Sequence, residues 1–139
     1  MARSCHIIDH PADVGLEAQA DSVEELFEAL AEGLADIVCP RRTVAARRRR
    51  AIRVDSPDIE AAAVDFLSAV LKAMQVDHFM VAAVKVAAAT ANSVSAELSG
   101  EGYDPSRHEI AAEVKGVTYH QLKVARQDGE WYGRVIFDL

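Results

Sequence analysis

The stretch His10-Pro11-Ala12-Asp13-Val14-Gly15 lies near the N-terminus, between a short apolar run and an alternating run of apolar and polar residues. Both flanking runs have the pattern of β-strands, so these six residues are predicted to form a bend between two strands. Pro11 stiffens the entry of the bend and removes a hydrogen-bond donor, and Gly15 frees its exit. Asp13 is therefore held in the bend between two strands. The alternative is an ordinary turn without a function, because such a turn needs only Gly, Pro and a short polar residue.

The composition indicates one folded domain. With 139 residues, 50% of them apolar, the chain can form one packed core, and we expect residues 1–139 to be a single domain. The formal charge of −7 argues against a general nucleic-acid coat protein, because binding phosphates requires a positive surface. Cys5 and Cys39 do not suit a disulfide framework or a CxxC metal pair, and are expected to be small buried hydrophobes in a reducing compartment. The sequence has no signal peptide or bilayer-spanning run, so we expect a soluble, cytoplasmic protein without a membrane partner.

The first half of the chain has the periodicity of two helices separated by a basic strand. Ser22 and Glu25 form a capping-box pattern ahead of apolar residues at helical spacing, which predicts a first helix over 23–38. Residues 43–54 include four consecutive arginines that cannot be deeply buried on either face, so an exposed edge strand is predicted there. Ser56 and Pro57 supply an N-cap and a favoured first residue for a second helix over 57–76.

The second half of the chain has the two-residue periodicity of strands. Residues 79–89, 94–99, 110–124 and 131–138 are predicted strands, and 110–124 forms either one long strand or two around Gly116. Turns are predicted at 91–93, at 103–107 and at 127–130, where Asp128-Gly129 is a hairpin signal. The predicted fold class is therefore α+β, with two layers: two helices packed on a mainly antiparallel sheet of six to eight strands.

The last strand offers oxygen ligands at its end. Asp138 is followed by Leu139, whose α-carboxylate would add further oxygens to the same short segment. If this segment lies beside the first bend, Asp13, Asp138 and the Leu139 carboxylate converge, and a cation or a proton must compensate the three negative charges. Carboxylate-rich ligation suits hard cations such as Ca²⁺, Mg²⁺ or Mn²⁺ and disfavours Zn²⁺. Nothing in the spacing alone brings the two ends together.

A second group of polar residues surrounds Gly116. Alternation along a strand places Thr118 and His120 on one face and Lys115 and Tyr119 on the other, unless a bulge at Gly116 changes the pairing. A small hydrolase or transferase that uses Lys115, Tyr119 and His120 is one interpretation. A solvated strand face with a hydrogen-bonded histidine is the other. The chain has no GxSxG motif, no glycine-rich phosphate loop and no HExxH motif, so a self-sufficient active site is not indicated.

The basic segment is another candidate surface. Seven arginines and no acidic residue lie between positions 41 and 53. Arg47, Arg48, Arg49 and Arg50 form a candidate electrostatic patch for RNA or an acidic partner, as in an RNA-binding or chaperone-like module. The aromatic residues on which single-stranded bases stack are absent from this segment, and a solvated face is the alternative.

Taken together, these motifs resemble those of the archease family. The opening stretch is similar to the family's HTADVG. Further matches are Gly100-Glu101-Gly102-Tyr103-Asp104, His108, Glu113-Val114-Lys115-Gly116-Val117-Thr118-Tyr119-His120 and the final Val135-Ile136-Phe137-Asp138-Leu139. The resemblance covers the whole chain in order. It implies a small α+β protein that is not an enzyme and assists an RtcB-type tRNA-splicing RNA ligase, by promoting GTP- and metal-dependent guanylylation of the ligase and its multiple turnover.

The resemblance also implies site residues. The family's metal site uses the Asp of the opening motif and the last two residues, which here are Asp13, Asp138 and Leu139, with Ca²⁺, or Mg²⁺ or Mn²⁺, as the cofactor. Under this interpretation the protein contacts RNA only through the ligase. The candidate ligase-contact or supporting residues are His10, Lys115, Thr118, Tyr119 and His120.

Two residues depart from the family pattern. Pro11 replaces the usual Thr, which removes a hydroxyl that would orient the loop or a ligand. Leu139 replaces the usual Ile, and this change is neutral if the residue contributes only backbone oxygen.

Overall fold

The computed structural model describes residues 3–10 and 13–139, so Pro11 and Ala12 of the predicted bend lie outside the described residues. The helices are α1 (Val23–Val38) and α2 (Ile59–Gln75), and a short 3₁₀ turn spans Arg41–Thr43. Neither helix combines the length and the apolarity that crossing a membrane requires. The strands are β1 (Ser4–His10), β2 (Asp13–Ala20), β3 (Arg48–Asp55), β4 (Phe79–Ala89), β5 (Ser93–Gly102), β6 (Gly116–Gln127) and β7 (Glu130–Asp138).

The strands of the described residues pair antiparallel in two sheets. The first sheet has the order β1-β2-β7-β6, and the second has the order β3-β5-β4. This confirms the predicted α+β fold, with the difference that the strands divide between two sheets. Since β2 lies between β1 and β7, the strand after the opening bend is a direct neighbour of the last strand.

α1 spans the residues that the capping box predicts. The Ser22 hydroxyl oxygen accepts a hydrogen bond from the Glu25 backbone N–H at 3.1 Å, which satisfies one donor of the first helical turn. The helix packs on strands of both sheets. Gly33 permits this close approach, because a Cβ at this position would lie 2.9 Å from both Cys5 Sγ and Leu16 Cδ1.

α2 begins two residues later than predicted, because Asp58 takes the N-cap position. The Asp58 carboxylate accepts the Ala61 backbone N–H at 2.8 Å. The Ser56 hydroxyl instead donates to the Asp65 carboxylate at 2.6 Å. The prediction that Ser56 and Pro57 begin this helix is therefore wrong.

β3 is an edge strand of the second sheet, as predicted, but it is shorter than expected. Regular strand structure begins at Arg48, because the 3₁₀ turn and an irregular stretch occupy residues 41–47. The Arg47 backbone N–H already donates to the Gly100 carbonyl at 3.0 Å. The basic segment thus contacts β5 from Arg47 onwards and leaves its other side open.

The segment before β6 is not a strand, so the prediction for 110–124 is wrong in its first six residues. Residues 110–115 are held by separate contacts with the helices. Gln75 of α2 exchanges two hydrogen bonds with the backbone of Val114, at 2.7 and 2.8 Å. The Ala111 N–H donates to the Val38 carbonyl at 2.8 Å. The alternating pattern here reflects packing of a connection on the helices, and not strand pairing.

The hairpin between β6 and β7 forms as predicted. Its central residues Asp128 and Gly129 have φ angles of 52° and 80°, the left-handed combination of a type I′ turn. Gln127 pairs with Glu130 on either side of the turn. This hairpin brings the end of β7 back beside the start of β6.

Three glutamates of α1, which we call the glutamate ladder, cover the open edge of β4. The hydrogen-bonded pairs are Glu24 with the Ala89 N–H (3.4 Å), Glu28 with the Val86 N–H (2.8 Å) and Glu32 with the Val84 N–H (3.1 Å). β4 is an edge strand, so its outer N–H groups need acceptors from another element. Arg3 lies 3.5 Å from Glu28 and 2.9 Å from Glu32, and compensates these buried carboxylates.

Glu101, near the end of β5, anchors the connection to β6. Its buried carboxylate accepts hydrogen bonds from both terminal nitrogens of Arg107 at 2.7 and 2.8 Å, and from the Ala45 N–H at 2.8 Å. His108 Nδ1 accepts the Asp104 N–H at 2.9 Å, so His108 Nε2 carries the proton and donates to Glu101 at 2.9 Å. These hydrogen bonds hold the pKa of Glu101 well below its ordinary value of 4.5, and the largest contribution comes from Arg107.

The glutamate ladder predicts a large effect for the loss of one acceptor. Glu28→Ala leaves the Val86 N–H without its acceptor and leaves Arg3 with Glu32 alone, so we expect the free energy of unfolding to fall by about 1–3 kcal/mol. Glu28→Gln keeps a side-chain oxygen and should cost less. Chemical denaturation measures the loss, and amide hydrogen exchange at Val86 should accelerate.

The matched control for the ladder is Glu97→Ala, which removes an exposed glutamate from β5 in the same sheet. This variant should change the free energy of unfolding by less than about 0.5 kcal/mol. Equal losses in the two alanine variants, or unchanged exchange at Val86, would contradict the role of the ladder.

The Glu101 contacts predict a dependence of stability on pH. Because the pKa of Glu101 is lower in the folded chain than in the unfolded chain, its stabilisation is fully present only at pH values above its ordinary pKa of 4.5. The stabilisation is lost as the pH falls toward the folded pKa. Glu101→Gln should therefore melt at a lower temperature than wild type at pH 7, but lose less on acidification to pH 3. Thermal unfolding across this range tests the expectation, with Asp128→Asn in the exposed hairpin turn as control. A parallel decline of Glu101→Gln and wild type would show that Glu101 is not responsible.

Candidate functional site

Four motif residues form a row across the first sheet, which we call the His10 row. The strand registers pair His10 with Asp13, Asp13 with Asp138, and Asp138 with Gly116. The row joins the opening stretch, the last strand and the start of β6. The antiparallel pairing of β2 with β7 thus brings the opening stretch and the end of the last strand together. The spacing of these residues in the sequence did not predict this.

Asp13 and Asp138 face each other on neighbouring strands. Residues in register on an antiparallel pair project to the same face, with Cβ atoms about 4.5–5.5 Å apart. In β2 the alternate residues Val14, Leu16 and Ala18 are buried in the core, so Asp13 belongs to the outer face of the sheet. Two carboxylates in this arrangement repel each other, and a divalent cation bound between them would replace repulsion by shared ligation.

The surroundings of the carboxylate pair leave space for further ligands. A Cβ built on Gly116, next to Asp138 in the row, would meet no atom within 4 Å beyond its chain neighbours. Leu139 follows Asp138 directly and is 43% exposed. The Lys115 N–H donates to the Asp138 carbonyl at 2.7 Å and fixes the start of β6 against the end of β7.

The donor set fits an open cation site and not a closed protein cage. Within residues 3–10 and 13–139, no group of three or more His, Cys, Asp and Glu side chains is arranged to hold a metal ion. Two carboxylates are nevertheless sufficient for a hard cation that keeps several water ligands, as Mg²⁺ commonly does. Asp13 and Asp138 would hold such an ion, and Leu139 would offer additional oxygen.

A bulge separates the candidate residues that follow Gly116. Thr118 pairs with Ile136, and the next pair of the ladder is Lys123 with Arg134, so the four residues 119–122 of β6 lie opposite the single residue Val135 of β7. Gln121 has a φ angle of 53°, in the left-handed region. The irregularity therefore lies after Thr118 and not at Gly116, and the faces of Tyr119 and His120 stay a prediction.

The polar side chains around this bulge lie on the surface. Lys115, Tyr119 and His120 are exposed, and no hydrogen bond joins their side chains in the part of the chain that the structure describes. The Thr118 hydroxyl donates to the Ile136 carbonyl at 3.0 Å and accepts the His120 N–H at 3.2 Å, which stabilises the bulge. These positions suit contact with a partner better than activation of a nucleophile by a neighbouring base.

Arginines of the basic segment contact acidic residues of the same chain. The pairs are Arg47 with Glu101 (3.4 Å), Arg49 with Glu97 (3.8 Å) and Arg50 with Asp77. Arg50 is the main cause of the lowered pKa of Asp77. Arg48 is exposed and has no acidic partner among the residues described. Much of the positive charge on this edge is therefore offset locally, which weakens its attraction for a phosphate backbone.

A polar cluster that the sequence patterns did not reveal lies on the outer face that carries Asp13. Glu17 accepts hydrogen bonds from the Tyr132 hydroxyl and from Arg134 at 3.0 Å, and lies 3.1 Å from His6 Nε2. These contacts, led by Tyr132, lower the pKa of Glu17 from 4.5 to about 2. The alternation of residues in β2 is enough to predict that Glu17 lies on the outer face. Its partners Tyr132 and Arg134 on β7 can be identified only from the register of the two strands.

Archeases of two archaea are similar to this chain along nearly its whole length. The archease of Methanosarcina mazei is 32% identical over 136 residues, which are 95% of this chain and 93% of that protein. The archease of Thermococcus kodakarensis is 32% identical over 135 residues, 94% of this chain and 95% of that protein.

Two solved structures have a similar fold. Protein 1598 of Methanobacterium thermoautotrophicum, solved in solution, has a TM-score of 0.81 and 26% identity, covering 97% of this chain and 98% of that chain. The archease of Thermotoga maritima, described as a possible chaperone, has a TM-score of 0.61 and 20% identity, covering 95% of this chain and 94% of that chain. The second likeness supports the fold alone.

The family comparison covers the residues that the structure brings together. The sequence profile of the Archease protein family matches residues 6–139, which include the His10 row and the Glu101 contacts. With this match and relatives at 32% identity over almost the full length, the chain belongs to the archease family.

Proposed function

We propose that this protein activates an RtcB-type RNA ligase and carries out no reaction of its own. It would promote the GTP- and metal-dependent guanylylation of the ligase, and so sustain multiple turnover in tRNA splicing or RNA repair in the cytoplasm. Membership of the archease family supports this proposal. The observation that carries it is the pairing of Asp13 with Asp138 on the outer face of the first sheet.

The carboxylate pair suits a cation that is shared with a partner. A divalent cation bound by one or two carboxylates keeps coordination positions for water and for substrate phosphates. In nucleotidyl and phosphoryl transfer, such a cation neutralises charge that develops on the phosphate oxygens. In this proposal Asp13 and Asp138 bind the cation, which is Ca²⁺, Mg²⁺ or Mn²⁺, and Leu139 contributes oxygen.

The polar residues near the pair would meet the ligase. Lys115 is exposed next to the end of β7. Tyr119 and His120 are exposed in the bulge of β6, which Thr118 stabilises. His10 lies in the same row as the two carboxylates. An accessory role also agrees with the surface positions of Lys115, Tyr119 and His120. Among the described residues, their side chains make no hydrogen bond of the kind that joins a nucleophile to its base.

The first test measures guanylylation of the cognate ligase with radiolabelled GTP and a divalent cation, with and without this protein. We expect faster guanylylation and repeated ligation when the protein is present, and no ligation or GTP hydrolysis by the protein alone. Arg48→Ser serves as a control, since Arg48 is exposed and lies on the other sheet. Robust GTP or RNA turnover without the ligase would contradict an accessory role.

A sharper test asks whether Asp13 and Asp138 act as one site. Asp13→Asn and Asp138→Asn should each weaken divalent-cation binding and ligase activation. The double variant should be little worse than either single variant, because groups that share one ion act as a unit. Added cation should raise the melting temperature of wild type but not of the variants. Calorimetric titration and thermal unfolding measure both effects.

The control for the cation test is Asp128→Asn, which removes an exposed carboxylate from the hairpin at the far end of β7. If Asp13→Asn and Asp138→Asn bind the cation as tightly as Asp128→Asn does, the cation site lies elsewhere.

A further inference from the structure

A cleft of about 510 Å³ lies between the end of α2 and the connection from β5 to β6, and we call it the Tyr103 cleft. Its floor is apolar and buried, formed by Val38, Met74 and Met80. At its rim, Val76, Tyr103 and Ile110 are 63%, 40% and 46% exposed. These three account for half of the large exposed hydrophobic residues among those described, so the exposed apolar surface is concentrated at this cleft.

Polar contacts hold the walls of the Tyr103 cleft. On one side, the two hydrogen bonds between Gln75 and the Val114 backbone tie the connection to α2. On the other side, the Tyr103 ring lies 6.0 Å from the ring of His108, which Glu101 holds in place. The Tyr103 N–H donates to the His78 carbonyl at 2.8 Å. Walls that are fixed before binding lose little conformational freedom when a ligand enters.

The rim of the cleft carries negative charge. Glu109 and Glu113 are exposed on the segment that carries Ile110, and Glu113 lines the cleft itself. Within residues 3–10 and 13–139, no Lys, Arg or His nitrogen lies within ion-pair distance of either carboxylate. The acidic residues nearer the core differ, since Glu101 and Asp104 are both paired with Arg107.

We propose that the Tyr103 cleft binds a segment of a partner protein in which a large apolar side chain is flanked by Lys or Arg. The apolar side chain would lie on the floor of the cleft, surrounded by the rim residues Val76, Tyr103 and Ile110. The flanking cations would pair with Glu109 and Glu113, because those carboxylates are exposed and have no ion-pair partner among the residues that the structure describes. Neither the His10 row nor the proposed ligase activation is needed for this inference.

The test follows backbone amide shifts of the isotope-labelled full chain as capped hexapeptides are added. KKFLKK combines the proposed apolar and basic features, EEFLEE reverses the charge and KKSSKK removes the apolar side chains. We expect KKFLKK to shift the amides of Val76, Tyr103 and Ile110. The other two peptides should bind at least about tenfold more weakly, since like charges or lost apolar burial oppose them.

Substitutions locate the binding. Ile110→Ser should weaken KKFLKK by about fivefold through lost apolar contact. Glu109→Gln with Glu113→Gln should weaken it and reduce its salt dependence. Ile7→Ser, at a 58% exposed residue of β1, and Asp128→Asn are the matched controls and should bind like wild type.

Several outcomes would overturn the inference. Equal binding of KKSSKK would show charge attraction without a cleft, and equal binding of EEFLEE would show unspecific apolar contact. Concentration-dependent shifts at the cleft without peptide would show that a second copy of the chain is the occupant. Wild-type affinity in Ile110→Ser would place the binding elsewhere. Because Ile110 is half exposed, its variant is expected to keep the wild-type spectrum outside the cleft, which verifies that it folds.

Discussion

The open edge of β4 is the constraint on which the arrangement of the other elements depends. An edge strand presents backbone N–H groups that need acceptors, and here Glu24, Glu28 and Glu32 supply them from one helix. Matching three carboxylates to three N–H groups fixes α1 both along its axis and in rotation. Because the same helix packs its apolar side on β2 and β7, this match also sets the first sheet against the second. Arg3 completes the arrangement by compensating the buried charge.

The His10 row follows from strand register once the first sheet is fixed. Three separate parts of the sequence contribute to it, and pairing across β1, β2, β7 and β6 aligns them at one level. A shift of one residue would turn Asp138 to the core face and Phe137 to the solvent. The complete burial of Phe137 opposes this shift, so apolar packing in the core maintains the carboxylate pair on the surface. The carboxylates need not stabilise the fold themselves.

How far the sequence predicts the structure depends on how local each feature is. The bounds of α1 and the Asp128-Gly129 hairpin were predicted correctly, because a cap and a turn are decided within a few residues. The start of α2 was missed because Asp58, two residues beyond Ser56, competes for the cap. The glutamate ladder has a visible four-residue spacing, but its strand partners lie 52 to 65 residues away. The register that pairs Asp13 with Asp138 is non-local in the same way, so residues at the site were predicted while their juxtaposition was not.

The connection between β5 and β6 links the Tyr103 cleft to the His10 row. At one end Glu101 fixes the position of Tyr103 through His108, and at the other the Lys115 N–H binds the Asp138 carbonyl. Between them the segment is held by a few separate hydrogen bonds and not by a strand ladder. Such segments shift at lower cost than the sheets that flank them. The cleft and the carboxylate pair are therefore both in contact with this connection. Any influence of a ligand at one of them on the affinity of a ligand at the other would have to be reciprocal.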